Sequence, residues 1–294
     1  MINFRYHVVS IIGIFIALAV GVVLGAGPLQ RSISAGMNPS SSQAASDPVL
    51  SAQAEAEAAG LKALASSTLT GSLTGTSVAL VVLPGASDDD VSAIRSTLTD
   101  AGASVVGRVT LTDNWQSTSM SQYRTTLATT LASHLQSGGA KTASADGVVG
   151  YSIVQVLTST GAETDLLRQI LTDKSTPLMT IDEDPAGKAT TLVAVGARAQ
   201  TTTSTQASAA ASSDAWIGLG LAVGSTSGVV VGDASSREAM ISQIRTSGTA
   251  VTTVDSVGTT LASVDTALAL STASSGARAF GVGNGAQSVI PSSK

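Results

Sequence analysis

From Val8 to Leu29 the chain carries no charged residue. A helix needs roughly 20 apolar residues to cross a bilayer core, so this run predicts a membrane anchor. A secretory h-region is shorter, about 7–15 residues, and ends at a small-x-small site. The pair Ala26-Gly27 is followed at once by Pro28, which disfavours cutting there. A cleaved signal and a buried helix stand as the alternatives. Arg5 and His7 precede the run, and after Arg31 there is no cation until Lys62. Positive charge favours the cytoplasmic side, so the N-terminus is expected inside and the rest of the chain outside.

Residues 32–48 carry Pro39, Pro48 and a series of serines, and read as a spacer. The next segment, VLSAQAEAEAAGLKALASSTLTGSL, places Leu50, Ala54, Leu61 and Leu64 near a helical period, predicting a short helical stalk. The style then changes. SVALVVL (77–83) is a continuous β-branched run, the pattern of a strand buried on both faces. PGASDDD follows, with Ser87 or Asp88 as a helix cap, then a helix ending at Gly102 and a second strand, ASVVGRVTL. This is a β-α-β unit.

A similar phrase recurs later. VVVGDASSREAMISQIRTSGTAVTTVD repeats the strand, the Ala-Ser turn, a helix with Ile-Arg, a glycine stop and a Val/Thr strand. Two such units predict a doubly wound parallel sheet, or two α/β lobes. Helices are expected at 119–136, 147–160 and 162–173, and strands at 177–181 and 190–195. Residues 200–213 are low complexity and read as a loop. The uncharged stretch 215–232 competes as a second membrane span. GSTSG interrupts it, so helix–turn–strand is expected instead. The fold class is therefore α/β: a single transmembrane helix (1–30), a spacer and helical stalk (31–75), and an exported, Rossmann-like domain (76–294).

Composition narrows the function. Of 294 residues, 12% are charged and 3% aromatic, and the formal net charge is −5. No basic patch is available for nucleic acid. There is no cysteine, which removes disulfides, thiolate metal sites and lipoprotein cleavage. Gly13, Ala17, Gly21 and Gly25 form a small-residue stripe that lets two membrane helices approach, so a homodimer is expected.

Candidate chemistry is sparse. The turns PGAS (84–87) and GDASS (232–236) could bind an anion at a helix N-terminus, but neither is a phosphate-binding loop. The clusters Asp88-Asp89-Asp90 and Asp182-Glu183-Asp184 could hold a hard cation through oxygen ligands, but neither has EF-hand spacing, and they read as helix caps and solvated surface. Soft-metal ligands are limited to His7, His134 and Met1, Met37, Met120, Met179 and Met240. His134 is a weak metal candidate in a helix without a neighbouring partner. No nucleophile–base pair stands out, so no catalytic residue is assigned and no enzyme is expected. No cofactor is expected.

The opening MINFRYHVVSIIGIFIALAVGVVLGAGPL closely resembles that of the actinobacterial MctB-like, or copper transporter, family. ARAFGVGNGAQSVIP at the C-terminus, and TVDSVGTTLASVDTALAL before it, resemble the same family's closing segments. The resemblance runs along the whole chain. It implies copper transport or homeostasis at the cell envelope, at the plasma membrane or an outer envelope membrane. Some relatives look instead like partner-binding proteins of cell separation that influence cell-wall hydrolysis at the septum. Copper itself finds no ligand pattern here, such as Met-x-x-Met or His-x-His.

Overall fold

The computed structural model describes residues 48–199, 210–272 and 276–291. The predicted anchor with Gly13, Ala17, Gly21 and Gly25, the spacer up to residue 47, and residues 200–209 of the low-complexity loop lie outside the described residues. No helix among the described residues is long and apolar enough to cross a membrane. The chain divides into two units, 1–55 and 56–294. The described part of the first is the opening of helix α1 (Pro48–Leu69), which starts on a proline whose missing N–H suits a first helical turn. The second unit holds every other described element.

Its centre is one seven-stranded sheet in the order β3-β2-β1-β4-β5-β6-β7. The strands are β1 (Ser77–Val82), β2 (Ser104–Leu111), β3 (Met179–Glu183), β4 (Thr191–Val195), β5 (Val229–Val231), β6 (Thr252–Val254) and β7 (Arg278–Phe280). All neighbours are parallel except β2 and β3. The helices are α2 (Asp88–Asp100), α3 (Asp113–Gln116), α4 (Ser121–Leu131), α5 (Ala145–Thr158), α6 (Ala162–Leu171), α7 (Ser213–Gly224), α8 (Met240–Thr246) and α9 (Thr260–Ser271). The expected doubly wound sheet is therefore present, and 215–232 is helix, turn and strand.

The β-branched runs alternate between two cores. Ala79, Val81, Leu192, Ala194 and Val230 face one core, with α4 to α8. Val78, Leu80, Val82, Val193, Val195, Val229, Val231 and Val254 face the other, with the second half of α1, α2 and α9. Ala65 and Leu69 of α1 are buried there, so the end of the expected stalk belongs to the folded unit.

One connection breaks the pattern. β4–α7–β5 and β5–α8–β6 step one way along the sheet with their helices on one face. β6–α9–β7 steps the same way with its helix on the other face. Its handedness is therefore opposite. About 98% of such crossovers are right-handed, so this last one is the uncommon left-handed form.

The acidic run 182–184 is exposed surface, as expected. Rather than capping a helix, Asp182 and Glu183 extend the edge strand β3. All three acids face arginines. Arg95 grips Glu183 with two bonds of 2.6 and 2.8 Å, Arg108 reaches Asp182 at 3.3 Å, and Arg168 reaches Asp184 at 2.5 Å. The Arg95 hydrogen bond holds the Glu183 carboxyl below its usual range. A charged edge discourages pairing with another chain's strand.

Glycine sets the closest approach of helices. At Gly150 of α5 an added Cβ would lie 2.6 Å from the carbonyl oxygen of Gly218 in α7. Gly60, in the middle of α1, has nothing within 4 Å of such a Cβ. Gly150→Ala is expected to destabilise by about 1–3 kcal/mol, through overpacking. Gly60→Ala is expected to stabilise by about 0.5–1 kcal/mol, because glycine is the poorer helix former. Urea denaturation of both variants checks this. Equal effects at the two sites would refute the packing account.

Candidate functional site

The strand order reverses between β1 and β4, and ligands of doubly wound sheets bind beyond the carboxyl ends of strands at such a point. Here the strand ends are laced together. Leu83 N–H donates to Val195 O, Gly196 N–H to Val231 O, Gly232 N–H to Val254 O and Asp255 N–H to Phe280 O. Above them lies a crevice of about 710 Å³, walled by Gly85, Gly196, Asp113, Gln116, Trp216, Asp233 and Glu238 among others. A second cavity of about 590 Å³ continues from it, sharing Asp233 and Ser235. Met240 forms part of the floor. A Cβ added at Gly196 or Gly232 would come within 2.5 Å of its methyl carbon, so the Met240 side chain packs directly on these two strand ends.

Trp216 is placed by long-range bonds. Ser117 and Ala211 form an antiparallel bridge, and Ser212 N–H donates to Gln116 O at 2.7 Å. The Trp216 indole N–H donates to Gln116 Oε1 at 3.3 Å, which orients the ring. Behind this wall, fully buried Arg124 donates to Asp146 and to the Ser117 carbonyl, fixing the turn that carries Gln116.

The crevice wall carries Asp113, Asp233 and Glu238 beside one arginine, Arg198. Ser87 caps α2 by accepting from Asp89 N–H, and Asp88, Asp89 and Asp90 occupy the first turn. Asp90 is buried, and its carboxylate takes both ends of Arg198 at 2.8 and 2.6 Å. The one arginine in the crevice wall is thus committed to a carboxylate. Asp233 of the GDASS turn accepts from the N–H of Ser235.

A separate groove of about 360 Å³ runs between α1, α2 and α9, with Lys62, Leu69, Ile94 and Thr259 in its walls.

His134 lies far from these cavities in sequence and in lining. It follows α4 in a short 3-10 turn, and its Nδ1 meets Glu163 Oε2 at 2.5 Å. One carboxylate and one imidazole make a pair rather than a cage. No group of three or more His, Cys, Asp or Glu side chains among the described residues could hold a metal. Met120 ends the short 3-10 turn Thr118–Met120, Met179 is buried in β3 and Met240 sits under the crevice, on three different elements. His7, Met1 and Met37 lie outside the described residues.

Comparison with known families decides the affiliation. The family model of MctB, described as a copper transport outer membrane protein, matches residues 1–291. The chain belongs to the MctB family. Membership supports a role in copper transport or homeostasis at the envelope. A search of curated proteins found no match.

Sequence reasoning missed Trp216 and Gln116, Arg245 and Asp255, and the buried Asp265. The rarity of tryptophan was the one available signal, with two in the chain.

Proposed function

We propose that this MctB-family chain is a non-catalytic copper-homeostasis protein of the cell envelope, held by its apolar N-terminal segment with the α/β unit on the exported side. The match of residues 1–291 to a copper transport family carries the reading. The non-catalytic part rests on the chemistry available. The described histidine is engaged by Glu163, and no hydroxyl meets it. In this reading the stripe Gly13, Ala17, Gly21 and Gly25 pairs two copies in the membrane, and nucleic acid is not a partner.

The test is copper(I) competition against a chromophoric chelator, using the full chain in detergent micelles, beside growth of a deletion strain in rising copper. Stoichiometric binding, or copper sensitivity of the deletion strain that the gene relieves, supports the reading. A strain with normal copper tolerance and a protein with no competing affinity would overturn it. A second reading draws on the scattered soft ligands just described: a partner-binding regulator of cell-wall hydrolysis and cell separation. Chains of unseparated cells in the same deletion strain would favour it.

A further inference from the structure

We propose that the carboxyl-edge crevice around Trp216 binds a hydroxyl-rich ligand of the sugar class. The inference is independent of copper and rests on the shape and chemistry of the two joined cavities. Their volumes, about 710 and 590 Å³, fall in the range of small-molecule sites. The location is the switch point of the sheet, where the fold leaves strand ends and loops free to meet a ligand.

The lining selects the chemistry by elimination. Asp113, Asp233 and Glu238 contribute carboxylates, and Arg198 is already bound to Asp90. A phosphate or carboxylate ligand would meet repulsion there. A metal ion lacks three converging ligands among the described residues. What the walls offer is an excess of hydrogen-bond acceptors, and an acceptor-rich wall calls for a donor-rich ligand. Trp216 adds a flat apolar face whose N–H end is fixed by Gln116. The C–H face of a pyranose ring packs on such a surface while its hydroxyls reach carboxylates at the ring edge.

A compact ammonium ligand would also suit an indole and carboxylates. The second cavity argues against it. Beyond Asp233 at the junction, its carboxylate is Asp255, which is occupied by Arg245, the Ser256 hydroxyl and the N–H groups of Val282 and Gly283. That half offers neutral polar groups such as Ser256 and Asn284. An elongated crevice, acceptor-rich at one end and neutral at the other, fits a chain of uncharged sugar rings better than a cation.

The experiment titrates the full chain in detergent micelles with chitotetraose and, separately, maltotetraose. Tryptophan fluorescence is read. Trp115 is buried in the core at 1% exposure, so a ligand-dependent change reports on Trp216. A saturable change is expected with at least one sugar, and Trp216→Ala is expected to weaken binding, measured by calorimetry, at least about tenfold. Asp233→Asn keeps the turn acceptor but removes the charge, and is expected to weaken binding while leaving the thermal melt unchanged. It guards against misreading a Trp216→Ala variant that fails to fold. Three results overturn the proposal: no saturation with either sugar up to about 10 mM, undiminished binding by Trp216→Ala, or a response to tetramethylammonium in place of the sugars.

Discussion

Replacing Asp265 by asparagine is expected to raise folding stability by about 4 kcal/mol at pH 8 and by much less at pH 4. Asp265 sits in the second turn of α9 with no exposed surface, and neither of its carboxylate oxygens has a hydrogen-bond partner. Burial first, and then the charge of Asp255, push its carboxyl up from 3.8 to about 7. In the unfolded chain the same group ionises near its ordinary value. Between the two values the folded state keeps a proton that the unfolded state has lost. Its stabilising contribution is therefore complete below the unfolded value and lost as pH rises through about 7. A gap of about three units corresponds to about 4 kcal/mol, an upper figure because local opening relieves part of it. Asparagine keeps the shape and a neutral polar group, and has no proton to lose. Urea denaturation of both proteins from pH 4 to 8 measures the effect. A difference between them that stays constant with pH would show that the carboxyl does not titrate late.

The placement of Asp265 could not be read from the sequence, and the reason is instructive. In TLASVDTALALS one acid stands among small and apolar residues, a pattern that also fits an exposed helix with one solvated charge. Burial on all sides follows from the left-handed return of β6–α9–β7, which brings α9 onto the face of α2. Nothing in the local pattern specifies that face. The internal similarity illustrates the same limit. The two phrases with Ile-Arg helices each form strand, helix and strand, as expected. Yet α2 and α8 cover opposite faces, because one unit steps left from the switch point and the other steps right.

What was legible were the elements that depend on period and punctuation. The runs SVALVV, TLVAV and VVV are buried strands because β-branched residues without polar breaks need cover on both faces. Ser87 caps α2, and Gly102 follows it with φ of +95°, as the sequence predicts. What was not legible were partners far apart in the chain. Trp216 and Gln116 are separated by 100 positions, and Arg198 and Asp90 by 108. β3 was misjudged at its end because Asp182 and Glu183 are poor strand formers taken alone. Arg108 and Arg95, from a neighbouring strand and helix, make the extended form favourable.

Breaking the Arg245–Asp255 pair is expected to cost about 3–5 kcal/mol from either side. The pair spans 2.9 Å at 6% and 1% exposure, so neither charge has water to fall back on. Burial lowers the Arg245 pKa from its ordinary value against the pull of Asp255. For Asp255, burial alone would raise the carboxyl, but hydrogen bonds from Ser256, Val282, Arg245 and Gly283 together hold it below its usual value. Arg245 also donates to Thr253 Oγ1, to Phe280 O and to Asn284 O. Between them the two side chains tie α8, the end of β6 and the segment after β7 into one knot. Gly281 sits against it with φ of +120°, where any Cβ would strike the Asp255 carboxylate. This knot secures the last strand, the one reached by the uncommon crossover, which pairs with a neighbouring strand on one side, β6. Asp255→Ala leaves a buried arginine unpaired and two amides without acceptors. Arg245→Ala leaves a buried carboxylate. The double variant is expected to lose less than the sum of the two, since each single loss already opens the knot. Arg95→Ala, which breaks a half-exposed pair, is expected to cost no more than about 1 kcal/mol. Urea denaturation at pH 7 gives the energies, and amide exchange at Val282 and Gly283 locates them. Single losses below 1 kcal/mol, or unchanged protection of those two amides, would mean that the C-terminal strand is held by its apolar contacts and not by this pair.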